Sequence, residues 1–181
     1  MFGFLKHIGG SISHAVSSVS KKVSGAVSSA VKVGKKVAGK VGSIANKVSS
    51  VSDDISKGLA VAGGVAGAIG LEPVAGVLEA GAGVSKAISE GAKGVGAVAG
   101  DVNRGLDKVQ AVNQTARNIA GAVAGGNIQG AVSQAGTLKR QVQDVKTTAQ
   151  TTTRNAIQRG KDVRQQTKQA VSKVSSSVAG L

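Results

Sequence analysis

The sequence predicts a mostly α-helical protein with extended amphipathic helices, a Gly/Ala-rich helical hairpin, little compact tertiary core and a partly disordered basic tail. Three observations predict this. From Leu5 to Ile55, apolar residues recur at steps of three and four, averaging about 3.6, which is the helical period and not the strand period of two. No stretch of the chain alternates as a strand does. Large core-forming side chains are scarce: the 181 residues hold 9 Ile, 7 Leu and 2 Phe beside 28 Val, while 27 Ala are matched by 27 Gly. Small side chains bury little apolar area, and each helical Gly costs roughly 1 kcal/mol relative to Ala.

The first region, 1–57, is a basic amphipathic segment. Its apolar seam runs Leu5, Ile8, Ile12, Val16, Val19, Val23, Val27 and onward through Val33, Val37, Val41, Ile44, Val48 and Val51 to Ile55. The other positions are mostly Ser, with Lys21, Lys22, Lys32, Lys35, Lys36, Lys40 and Lys47. Val and Ser are mediocre helix formers and six glycines interrupt the seam between Leu5 and Ile55, so the segment is expected to order when its seam meets a surface.

The second region, 58–100, is rich in Gly and Ala and is uncharged from Gly58 to Leu71. Those 14 residues are fewer than the about 20 a membrane-crossing helix needs. Pro73, the single proline, predicts a turn with Pro73 opening, at its first position, the second arm of a helical hairpin that is either packed or shallowly re-entrant. Gly63 and Gly67 are spaced so that another helix could approach their backbone closely. Region 101–136 continues the small-residue character with Asn and Gln added. Region 137–181 is polar and basic with a thin apolar stripe, and reads as a surface-seeking or disordered tail.

Charge narrows the choice of partner. The net charge is +14, carried by the two ends: residues 1–50 hold eight Lys and no acid, and residues 101–181 hold twelve basic against four acidic groups. Such a balance seeks anionic lipid or nucleic acid. Lys139, Arg140, Arg154, Arg159, Lys161 and Arg164 are the candidate anion-binding residues, able to neutralise phosphates without reading bases. Stacking aromatics and recognisable reading motifs are missing.

No catalytic constellation emerges, and no cofactor or metal is expected. Carboxylate pairs such as Asp53 with Asp54 lack a core that would shift their protonation. His7 and His14 are too few for a structural metal site. Seven residues apart, they share a helix face and would gain charge below about pH 6.5, a pH-sensing role at an anionic membrane. The N-terminus reads neither as a secretory signal nor, with Phe2 in place of Gly, as a myristoylation site.

Both aromatic residues, Phe2 and Phe4, fall in the first four positions. A basic amphipathic segment with Phe at its tip suits a membrane interface, with Phe2, Phe4, Leu5 and Ile8 deepest, Lys6 at the headgroups, and Ile12, Val16 and Val19 continuing the stripe. Docking into an apolar pocket of a partner protein would use the same residues.

The stretch FGFLKHIGGSISHAV resembles cationic amphipathic host-defence peptides. The whole plan, an N-terminal amphipathic helix, a Gly/Ala/Val-rich middle and a basic remainder, resembles the membrane-lytic minor virion proteins of the adenovirus protein VI type. That resemblance implies a non-enzymatic virion component, in several copies per particle, whose Phe2–Val19 segment binds and disrupts host membrane during entry while the basic remainder contacts capsid proteins or genome. The tail TTRNAIQRGKDVRQQTKQAVSKV resembles desiccation-protection proteins, which implies a disordered membrane protectant instead. A basic nucleoprotein condensing viral DNA is the further alternative.

Overall fold

The computed structural model describes the backbone of residues 2–179 and the side chains of residues 18–179. It contains three helices, α1 (Phe2–Ala68), α2 (Glu72–Ala124) and α3 (Ile128–Ala179), and no strand among the described residues. The fold is thus mostly α, as the periodicity predicts. One expectation changes. The stretch expected to be partly disordered, 137–179, is continuous helix within α3, while the first region lies within α1 from Phe2 onward.

Two glycines make the turns. Gly70 and Gly126 have φ of +79° and +76°, the left-handed conformation that ends a helix at little cost only for a residue without Cβ. At the first turn Leu71 N donates to Ala66 O at 2.9 Å and Gly70 N to Gly67 O at 3.1 Å. At the second, Asn127 N donates to Ala122 O at 2.8 Å and Gly126 N to Val123 O at 3.1 Å. This paired closure satisfies carbonyls the helix end would leave open. Pro73 is the second residue of α2, one later than expected, where its missing N–H is still no loss. Asn127 caps α3, its Oδ1 accepting from Gly130 N at 2.9 Å.

The helices pack as two compact units, each drawing a segment from all three: residues 1–37 with 102–151, and residues 38–101 with 152–181. In the first unit Asn113 Nδ2 is buried and donates to Ser24 O at 3.2 Å and Ser28 Oγ at 3.0 Å. Lys35 pairs with Asp107 there, and Lys108 Nζ donates to Thr148 Oγ1 at 2.7 Å. In the second unit Ser49 and Ser89 share a buried hydroxyl–hydroxyl bond of 3.0 Å, and Lys93 pairs with Asp53 at 2.9 Å.

What is buried is small. Among the described residues Val31 is the one large aliphatic side chain in the buried set; the others are alanines, joined by Ser24, Ser49, Ser52, Ser89 and Asn113. Most buried α1 positions keep one register of seven residues, Ser24 and Val31 in the first unit and Ala38, Ala45, Ser52 and Ala66 in the second, with Ser49 and Gly63 each four residues on from a position of that register. A seven-residue repeat keeps one seam of a helix against its neighbour. Small residues let the backbones approach: a Cβ on Gly42 would meet the Ala99 Cβ at 3.6 Å, and one on Gly96 would lie 3.2 Å from Asn46 Oδ1. The attraction here is close dispersion contact more than transferred apolar area.

Candidate functional site

The Val/Ile seam that defines α1 in the sequence is not the face that packs. Val19, Val33 and Ile44 are 61%, 63% and 62% exposed, and Val23, Val37, Val41, Val48, Val51 and Ile55 are exposed as well. The buried Ser/Ala/Gly seam and the open aliphatic stripe occupy adjoining sectors of the same helix. Such an aliphatic stripe along a helix, left without a covering element, marks a surface built for an apolar medium or partner.

In the second unit α2 and α3 extend this face. Gly42, Ala45 and Ser49 of α1 lie against Ala99, Gly96 and Ser89 of α2. On the other side of α2, Gly91 lies against Val163 and Gly94 against Arg159 of α3. The neighbours of α2 therefore sit on roughly opposite sides of it, which leaves two open flanks. One flank is polar: the Asp53–Lys93 pair lies there, next to a groove of about 250 Å³ where Glu90 and Lys93 face Asp162 of α3. The other carries Val74, Ile88 and Val95, which are exposed and recur at multiples of seven; each lies one residue, about 100° of helix, from the row that meets α1. The same helical geometry puts the open rows of α1 (Val41, Ile44, Val48, Val51, Ile55) and α3 (Ile157, Val171, Val178) on this second flank. The α2 and α3 rows are only partly visible in the sequence: Val74 and Ile88 fall in an apolar period and Val171 and Val178 in the thin stripe of the tail, diluted by Gly and Ala on α2 and by polar residues on α3, and the seven-residue spacing was the available signal.

Electrostatics on the polar flank is local. The Ser89 hydroxyl, followed by the Lys93 ammonium, holds the Asp53 carboxyl below its usual range. Both hydrogen-bond to the charged form and so favour it.

The remaining residues singled out by the sequence fall as follows. Gly63 is buried, with a Cβ there set to meet Glu79 Cγ at 3.1 Å and Ala75 O at 3.4 Å, and Gly67 lies against Ala75. Lys139, Arg140, Arg154, Arg159, Lys161 and Arg164 are all exposed on α3. Arg154 and Lys161, with Lys168, form an exposed row at seven-residue steps in the second unit. The side chains of Phe2, Phe4, Leu5, Lys6, His7, Ile8, Ile12, His14 and Val16 lie outside the described residues, while Val19 is in the open stripe.

Among the described residues no group of three or more His, Cys, Asp or Glu is placed to hold a metal ion, and no helix is long and apolar enough to cross a membrane. No family model, curated protein or solved structure matches the chain.

Proposed function

We propose that this is a non-enzymatic structural protein that acts on membranes by laying the open aliphatic side of α1 into the interface of an anionic bilayer. One observation carries the reading: α1 packs through Ser, Ala and Gly and leaves its Val/Ile stripe exposed. Fully burying one such side chain is worth about 1.5–3 kcal/mol, so several entering an acyl region together give a substantial driving force. Lysines on α1 supply attraction to anionic headgroups, about 1 kcal/mol each near the surface. The Phe2–Val19 segment leads insertion in this reading, and His7 and His14 strengthen it in acid. The setting suggested by the plan of the sequence is a minor virion protein that disrupts host membrane during entry.

Dye release from anionic vesicles, measured with the full chain at pH 7.4 and pH 5.5, tests this. Leakage should be greater at the lower pH and should be lost in the Phe2→Ser, Phe4→Ser double variant, with DNA binding unchanged. Vesicles that stay sealed with the unaltered chain would refute it. The exposed Arg154, Lys161 and Lys168 row favours a second reading, non-specific nucleic-acid binding. That reading expects affinity for duplex DNA to fall steeply with salt and to ignore both Phe changes.

A further inference from the structure

In the second unit the open rows are nearly free of charge. On α1 the two adjoining rows from Val41 to Val65 contain only Val, Ile, Ala and Gly; on α2 Val74, Ile88 and Val95 have the same character, with Gly81 between them half-buried against Leu59 of α1; on α3 the row reads Ile157, Arg164, Val171, Val178. Arg164 is the one charged residue in these rows, and it is exposed. Lys40 and Lys47, followed in the same seven-residue row by the exposed Asp54, mark the outer edge of the α1 rows, where the lysine stems can lie along apolar surface while the ammonium groups reach outward. Asp53 and Lys93, with Glu90 and Asp162, are on the opposite flank.

We propose that this three-helix side of the second unit is a lipid-binding face in its own right, which rests flat on an anionic bilayer with Ile44 and Val51, Ile88 and Val95, and Ile157 and Val171 at acyl depth and Arg164 at a headgroup phosphate. The proposal rests on the membrane reading above and adds to it that contact does not end with the N-terminal segment or with α1. Charge decides the occupant. Pairing this face with a second copy would bring Arg164 into an aliphatic interface whose rows offer no carboxylate, the one at its margin, Asp54, lying on the outer edge of α1 behind Lys40 and Lys47, and an unpaired buried cation is costly. A bilayer interface offers phosphates beside the acyl layer, where a guanidinium keeps its hydrogen bonds.

The chain contains no Trp or Tyr, so single tryptophans report without background. Full-length Ile44→Trp, Val95→Trp, Val171→Trp and, on the polar flank, Lys86→Trp would each be mixed with vesicles of brominated phosphatidylcholine and phosphatidylglycerol. The first three should shift to the blue and be quenched, and Lys86→Trp should do neither. Arg164→Glu should weaken vesicle binding roughly thirtyfold through the two units of charge reversed. Quenching at position 44 without quenching at 95 and 171 overturns the proposal while the membrane reading stands. If no position is quenched and no dye leaks, both fall. Concentration-dependent blue shifts at 95 and 171 without lipid would show a second copy on this face and overturn it, as would equal binding to purely zwitterionic vesicles.

Discussion

The two sides of α1 differ in a way that separates hydrophobicity from packing. Its buried seam is Ser, Ala, Gly and one Val, Val31, while most of its large apolar residues, among them Val19, Val33, Ile44 and Ile55, face outward. In a water-soluble helix the apolar stripe normally covers a core. Here closeness, not apolarity, selects the partner face: positions without a bulky side chain let two backbones meet, and the Val/Ile stripe is left for another surface. The seam should therefore answer to side-chain volume and the stripe to polarity.

The largest effect is expected from volume in the seam. Ala45→Leu, placed where the native Cβ packs near Gly96, should destabilise by about 1–3 kcal/mol in urea unfolding followed by circular dichroism. Val48→Ser on the open stripe should stay within about 0.5 kcal/mol of the parent, yet weaken vesicle binding. If the two variants exchange these outcomes, the assignment of the faces is wrong.

A smaller effect sharpens the comparison at glycines. Nothing lies within 4 Å of a Cβ at Gly39, so Gly39→Ala should stabilise by about 0.5–1 kcal/mol through helix propensity. Gly96→Ala brings the same propensity, but its Cβ comes within 3.2 Å of Asn46 Oδ1, so thermal unfolding should show a distinctly smaller gain or a loss.

The smallest effect concerns pH. Because the Asp53 carboxyl is held below its ordinary range, its contribution to stability is full above about pH 3.9 and is lost as pH falls through the lower folded-state value. Stability should thus not change on this account between pH 7.4 and pH 5.5. An acid titration of unfolding should show a shallower loss in Asp53→Asn than in the parent, and identical slopes would remove Asp53 from the account.

Much of the fold is legible in the residues. The apolar steps of α1 give its helical period, and the glycine-flanked break before Pro73 gives the first turn. The continuity of α3 was not legible, because the apolar stripe after Thr137 is too thin to argue for a helix that α2 supports from the side. Within the candidate site, the α1 stripe is visible in the sequence, whereas the α2 and α3 rows gain meaning only once their packing leaves one flank open.

The sequence by itself determined the helical period of α1 and its first turn, the sign of the charge and the existence of an aliphatic stripe, because these follow from local period and composition. Only the tertiary structure decided which side of each helix is spent on packing. That choice depends on how closely two backbones can approach, a property of paired surfaces that no single segment contains, and it turned the Ser/Ala/Gly seam inward and left the Val/Ile stripe outside.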